Sequence, residues 1–256
     1  MRNMSKITRT QIISSLKELE KDSKVYAYWL EGADAHGRVD KYSDIDIWID
    51  VSDNYVSKAF VKIEKILSKL GKIDYSFEKE HNHPKIRQKF YHLKGTSEFL
   101  VIDICIQKHS RVFWYTYGYK DEKVKIIFDK SNVVNYKKLN KSKFDKEIKQ
   151  KILKLDKSFI FFQMWVKKEA NRKHFLQSFA AYQKYVLMPL VELIRLKYIP
   201  TKSGYNLAGI SGDNIPQPII KQLEDLYKIS SIEDIKKKMK IANKLYQKVR
   251  TSPSFA

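Results

Sequence analysis

The sequence predicts an α+β protein, with an N-terminal domain built on a mixed sheet and a C-terminal α-helical bundle. Three observations carry this. Aromatic and β-branched runs alternate with helical stretches through the first half of the chain. Two of those runs are joined around Lys94-Gly95-Thr96 like hairpin neighbours, which argues for a mixed sheet over a purely parallel one. After about residue 135 the apolar residues step only by three or four. The expected domains are residues 1–135 and 136–256, with a linker near Asn135–Asn140.

In chain order, Ile12, Ile13, Leu16 and Leu19 fall on one helical face, and Thr8 with Gln11 fits a capping box. Val25 to Leu30 reads as a buried strand that Gly32 ends. Residues 32–43 read as a polar loop containing Gly37, and Ile45 to Val51 as a second strand. A helix is expected from Tyr55 to Leu70, stopped by Gly71. Strands are expected over 72–77, 85–93, 98–107 and 124–128. In the second half, a long amphipathic helix carries Phe144 through Val166. The next runs from His174 to Tyr198, kinked or divided at Pro189. A loop with Pro200, Gly204 and Gly212 precedes helices from Pro218 to Ile229 and from Ile232 to Val249. Ser230 and Glu233 suggest a capping box for the last helix, and its lysine run over 235–240 reads as a solvated face.

Composition excludes several classes. The single cysteine, Cys105, rules out an intramolecular disulfide and a cysteine zinc cluster. The polar start lacks the apolar core of a signal peptide, and no run approaches the ~20 apolar residues of a membrane span. A cytoplasmic protein with no membrane association is expected, monomeric or homodimeric. With 50 basic against 29 acidic residues the net charge is +21, which attracts polyanions, nucleotides and RNA among them. The same lysines also suit helix faces that simply meet solvent.

The chemistry concentrates in Gly32-Ala33, ten residues, then Asp44-Ile45-Asp46. Residues two apart on a strand point to one face, so Asp44 and Asp46 sit side by side. Paired carboxylates repel, and a hard divalent cation such as Mg²⁺ relieves them. A glycine turn lets backbone N–H groups approach a phosphate closely. Asp103 is the lone charge in the apolar run Phe99 to Ile106, where it needs a partner such as a metal at the sheet face.

The strand, the Gly32-Ala33 turn, Ser43-Asp44-Ile45-Asp46-Ile47 and the later strand with Asp103 resemble the signature of the polymerase-β-like nucleotidyltransferase superfamily. The match covers about residues 25–107, and the helical second half is similar in architecture to bacterial antibiotic nucleotidyltransferases of the lincosamide and aminoglycoside type. The resemblance implies a transferase that moves a nucleoside monophosphate, AMP from ATP, onto a hydroxyl of a small-molecule acceptor such as an antibiotic, releasing pyrophosphate. It implies two Mg²⁺ ions on Asp44, Asp46 and Asp103, and nucleotide contacts at Gly32 and Ala33. The family usually has Ser where this chain has Ala33, which removes a hydroxyl contact and makes Ser43 a candidate substitute donor.

In related enzymes a helical-domain Glu acts as base with a Lys on phosphate. Glu169 and Lys173, four apart, fit that role or an everyday i,i+4 pair, and Lys184 is a further candidate phosphate contact. His81 and His83 read as a surface loop, and Phe113-Trp114-Tyr115-Tyr117-Tyr119 as packing or as a stacking platform. Two alternatives stand beside the leading one. The acceptor is RNA or a protein hydroxyl, as in antitoxin-type enzymes, or Ala33 marks a catalytically degenerate nucleotide sensor.

Overall fold

The protein is described by a computed structural model that places residues 7–118, 122–201, 207, 210 and 214–252. It is α+β, with two compact units, Met1–Lys138 and Leu139–Ala256.

The first unit is built on a six-stranded mixed sheet in the order β3-β4-β5-β2-β1-β7. Its strands are β1 (Val25–Leu30), β2 (Ile45–Val51), β3 (Ile73–Lys79), β4 (Ile86–Leu93), β5 (Ile102–Lys108) and β7 (Lys125–Asp129). β2 and β5 pair in parallel, and every other pairing in this sheet is antiparallel. A separate parallel pair joins β6 (Tyr115–Tyr117) to β8 (Tyr136–Lys138), two strands absent from the sequence reading. β5 begins later than expected, because residues 97–101 turn first, with Leu100 N donating to the Ser97 carbonyl.

Strand alternation separates two faces. Ile45, Ile47, Ile49 and Val51 of β2 join Ile102, Ile104 and Ile106 of β5 in the core. That core is closed by Ile12 and Leu16 of α1 (Arg9–Leu16) and by Phe60, Ile63 and Leu67 of α3 (Val56–Leu70). Asp46, Trp48, Asp103 and Cys105, the alternate residues, line the opposite face. α1 starts on the expected capping box, Thr8 with Gln11. It tightens to a 3₁₀ turn over Lys17–Lys21 that still buries Leu19. The expected loop after β1 contains a short helix, α2 (Gly32–His36), which ends on Gly37 at φ +66.

The second unit is helical: α4 (Lys141–Asn171), α5 (Phe175–Tyr182), α6 (Met188–Tyr198), α7 (Gln217–Tyr227) and α8 (Ile232–Thr251). Its core stacks Phe159 on Tyr246, ring centroids 3.9 Å apart, and buries Tyr182, Leu190, Ile194 and Leu226. Pro189 divides the expected long helix by way of a π turn, Gln183–Leu187. Proline offers no N–H to the turn before it, and the wider ring absorbs that lost bond. α8 is capped by Ser231, whose side chain accepts from Asp234 N, whereas Ser230 bonds the Asp234 carboxylate. The 235–240 lysines are not all solvated. Lys238 is buried and donates to the carbonyls of Asp225 (2.6 Å) and Lys228 at the end of α7. Gly204 and Gly212 lie outside the described residues.

Candidate active site

The strand order brings the candidate acids together. Asp46 and Asp103 are register partners across the parallel β2–β5 pair. Glu31, just past β1, donates its backbone N–H to the Asp46 carbonyl (3.0 Å), so it lies opposite Asp46 on the other side. A row of carboxylates, Glu31, Asp46 and Asp103, therefore crosses three adjacent strands. With Gly32, Trp48, His81, Gln88 and Cys105 these side chains line a cleft of about 400 Å³.

Gly32 is required there twice over. Its φ is +55, a left-handed conformation, and a Cβ at this position would lie 1.9 Å from Asp46 Oδ2. The turn after β1 is thus packed against the acid of the next strand. Ala33 follows in α2, its carbonyl accepting from Arg38 N (3.1 Å).

Electrostatics mark the site as crowded negative charge that its donors relieve only in part. Burial, then the neighbouring carboxylates of Asp103, Asp44, Glu31 and Asp34, push Asp46 up to about 6. Asp103 is raised by burial and by Asp44, against the pull of Gln88 and Lys79. Asp44, at the mouth of β2, is raised by burial against a Val101 backbone bond and the Arg9 charge. Burial also raises Glu31, although Tyr115, Trp29, Arg111 and Trp48 all favour its charged form. The donor set is anionic and all-oxygen, which suits a hard divalent cation. Gln88 Nε2 engages both oxygens of Asp103, and among the described residues no three His, Cys, Asp or Glu side chains converge as a ready ligand group.

Several other expected residues are engaged in local contacts. The Ser43 hydroxyl donates to Asp40 Oδ1 (2.7 Å) and accepts from Asp40 N (3.0 Å), so it closes its own turn. Lys173 is not on a helix with Glu169. α4 stops at Asn171, Lys173 is left-handed at φ +62, and Glu169 instead pairs with Arg172 (2.6 Å) and His174 (2.9 Å). Lys184, in the π turn, sits over the Tyr185 ring.

The aromatic run packs within the first unit. Phe113 stacks on Trp29, which stacks on Trp48, and Arg111 lies over both Phe113 and Trp48. Arg111 donates to Gln107, whose Nε2 donates to the buried Asp50 (2.6 Å), which also meets His109 Nδ1 (2.7 Å). Tyr115 reaches Glu31, Tyr117 stacks on Tyr136, and Tyr119 lies outside the described residues.

Sequence reasoning missed Glu31, Gln88 and the cleft position of His81. The His81 Nδ1 accepts from His83 N (3.0 Å), and burial lowers the His81 pKa.

No family model matches the chain, and no curated protein does. Among solved structures the chain is similar to an aminoglycoside 6-adenyltransferase from Bacillus subtilis, at 16% identity and TM-score 0.38, covering 94% of this chain and 86% of that one. It is also similar to a spectinomycin adenyltransferase from Enterococcus faecialis with ATP and spectinomycin, at 10% identity and TM-score 0.33, covering 95% and 100%.

Proposed function

We propose that this protein is a nucleotidyltransferase that transfers AMP from ATP to a hydroxyl of a small-molecule acceptor, releasing pyrophosphate. One observation carries the reading: the Gly32 turn abuts Asp46, and Asp46 is in register with Asp103 in the same cleft. A turn fit for phosphate and a set of mutually repelling acids fit for Mg²⁺ thus share one site.

Asp44, Asp46 and Asp103 would hold Mg²⁺, which when bound neutralises phosphate charge and acidifies the acceptor hydroxyl. The turn at Gly32 and Ala33 offers backbone N–H groups to the phosphates. The acceptor oxygen bonds to the α-phosphorus, the bond to pyrophosphate breaks, and the acceptor proton passes to a carboxylate of the row. The helical unit 139–256 is proposed to bind the acceptor. The net charge of +21 supports RNA as the second acceptor class to test.

The test is pyrophosphate release with each of the four NTPs and Mg²⁺, against aminoglycosides, lincosamides, spectinomycin and a short RNA. Release that needs one acceptor and is abolished in Asp44→Ala, Asp46→Ala and Asp103→Asn is expected. Full activity in Asp46→Ala would overturn the assignment. Release with RNA alone would move the function to the second class, and Mg²⁺-dependent ATP binding without release would make the protein a nucleotide sensor.

A further inference from the structure

Arg9 stands at the start of α1, far in sequence from every acid of the cleft. It nevertheless touches both halves of the site. Its Nη1 donates to Asp34 Oδ2 and to the Asp44 carbonyl (3.0 Å), and its Nη2 donates to the Ser43 carbonyl. Asp34 follows Ala33 in α2, so one guanidinium joins the Gly32-Ala33 turn to the segment that leads into β2.

The arrangement has a fixed base. Ile12 and Leu16, one and two turns further along α1, are fully buried, so the helix cannot swing away from the sheet. The Arg9 and Asp34 side chains are only 15% and 7% exposed, and their charges lie largely out of water. A planar fork with several donors can meet three acceptors held at set angles, which an ammonium on a flexible stem cannot reproduce. Neither Ser43 nor Asp44 is in a regular element, because β2 begins only at Ile45. The Asp40–Ser43 turn on one side and Val101 on the other, whose carbonyl accepts from Ile45 N (2.9 Å), hold the ends of this segment, and the Arg9 guanidinium meets the two carbonyls between them.

We propose that Arg9 is the positioning residue that sets the spacing between the Gly32-Ala33 turn and Asp44, and that Mg²⁺-ATP binding depends on it. The inference rests on the nucleotidyltransferase reading and adds to it a residue that touches neither nucleotide nor metal. Loss of Arg9 leaves the acids in the chain and removes the side chain that ties the Gly32-Ala33 turn to the segment before β2. Affinity for Mg²⁺-ATP falls because the phosphate turn and the metal-binding segment no longer hold one distance.

The experiment is equilibrium binding of a fluorescent ATP analogue to the full chain, with saturating Mg²⁺ and with EDTA. The variants are Arg9→Lys, Arg9→Ala, and Arg9→Ala with Asp34→Asn, the last avoiding an unpaired buried carboxylate. Circular dichroism and thermal melting report the fold. Arg9→Lys and the double variant are expected to bind Mg²⁺-ATP at least about tenfold more weakly, a loss of ~1.4 kcal/mol, with melting retained. Added methylguanidinium should restore part of the binding in Arg9→Ala, an effect that general loosening cannot produce. Wild-type affinity in the double variant would overturn the inference and leave the functional reading standing. Weak binding together with early melting and no rescue would also overturn it, since Arg9 would then serve stability alone. A wild-type chain that does not bind Mg²⁺-ATP would refute the functional reading itself, and Arg9's role with it.

Discussion

The Gln88 side-chain amide donates to both oxygens of Asp103, at 2.9 and 2.8 Å, from the neighbouring strand β4. This contact holds the Asp103 carboxylate in one orientation and favours its charged form against burial. Gln88→Leu should leave the sheet intact, raise the Asp103 pKa further, and lower turnover by about 10–100-fold, the usual cost of losing a partner that orients a ligand. Steady-state pyrophosphate release would show it, and unchanged turnover would mean that Asp103 orients itself.

Gly32→Ala tests the packing of the turn against β2. The new methyl meets Asp46 Oδ2 at 1.9 Å, and the backbone there is left-handed. The conformational strain alone costs about 1–2 kcal/mol, and displacement of Asp46 adds to it. A lower melting temperature and loss of Mg²⁺-dependent ATP binding are expected together. Gly37→Ala is the matched control, because φ is also positive there but its Cβ meets nothing within 4 Å.

Asp46 should make metal-free stability depend on pH in a defined direction. Its pKa rises from 3.8 to about 6 on folding, so ionisation costs stability above about 6 and costs nothing below 3.8. At neutral pH in EDTA, Asp46→Asn should therefore be more stable than wild type by about 1–2 kcal/mol, less than the full shift because solvent reaches the carboxylate. The gap should close as pH falls through the interval between those values. Mg²⁺ should raise the melting temperature of wild type and do little for Asp46→Asn. Equal stability of the two proteins across this range would show that Asp46 is not strained by its neighbours.

Ala33→Ser restores the hydroxyl that the resembled family usually carries. It should fold normally and tighten ATP binding by ~0.5–1.5 kcal/mol, the value of one added hydrogen bond. Unchanged affinity would indicate that residue 33 does not face phosphate. In this structure the Ser43 hydroxyl is bonded to Asp40.

In the helical unit, Lys238→Met should lower the melting temperature without touching nucleotide binding. The carbonyls of Asp225 and Lys228 lose their shared donor, at a cost of about 1–3 kcal/mol. A loss of ATP affinity in that variant would tie the end of α7 to the site.

How much of this is legible in the sequence depends on how local each feature is. Asp44, Asp46 and Gly32 are close in the chain, and the strand reading that pairs the two acids holds for Asp46, on the cleft face of β2, whereas Asp44 lies just before that strand. Asp103 is visible as a charge within an apolar run. Arg9, Glu31, Gln88 and His81 are not visible as site residues, because only the strand order β4-β5-β2-β1 and the seating of α1 bring them to Asp46 and Asp103. The end of α4 is illegible for a different reason. The left-handed position after it is Lys173 instead of the usual glycine, so the sequence carries no stop signal there and reads Glu169 and Lys173 as four apart on one helix. The Lys238 anchor hides within a lysine run that otherwise meets solvent.

The parallel pairing of β2 with β5 also bears on how the protein reaches its native state. These strands are far apart in the chain, and their register places Asp46 beside Asp103 and Ile47 beside Ile104. Contacts of such long range form slowly, after the entropy of closing the intervening loop has been met. A slip of one residue would turn Asp103 inward among the isoleucines and bring Ile104 to the cleft. The hydrophobic penalty for that error is large, so the core proofreads the placement of the acids. Partly folded chains should hold no partial activity, since the site and the central strand pair come into being in the same step.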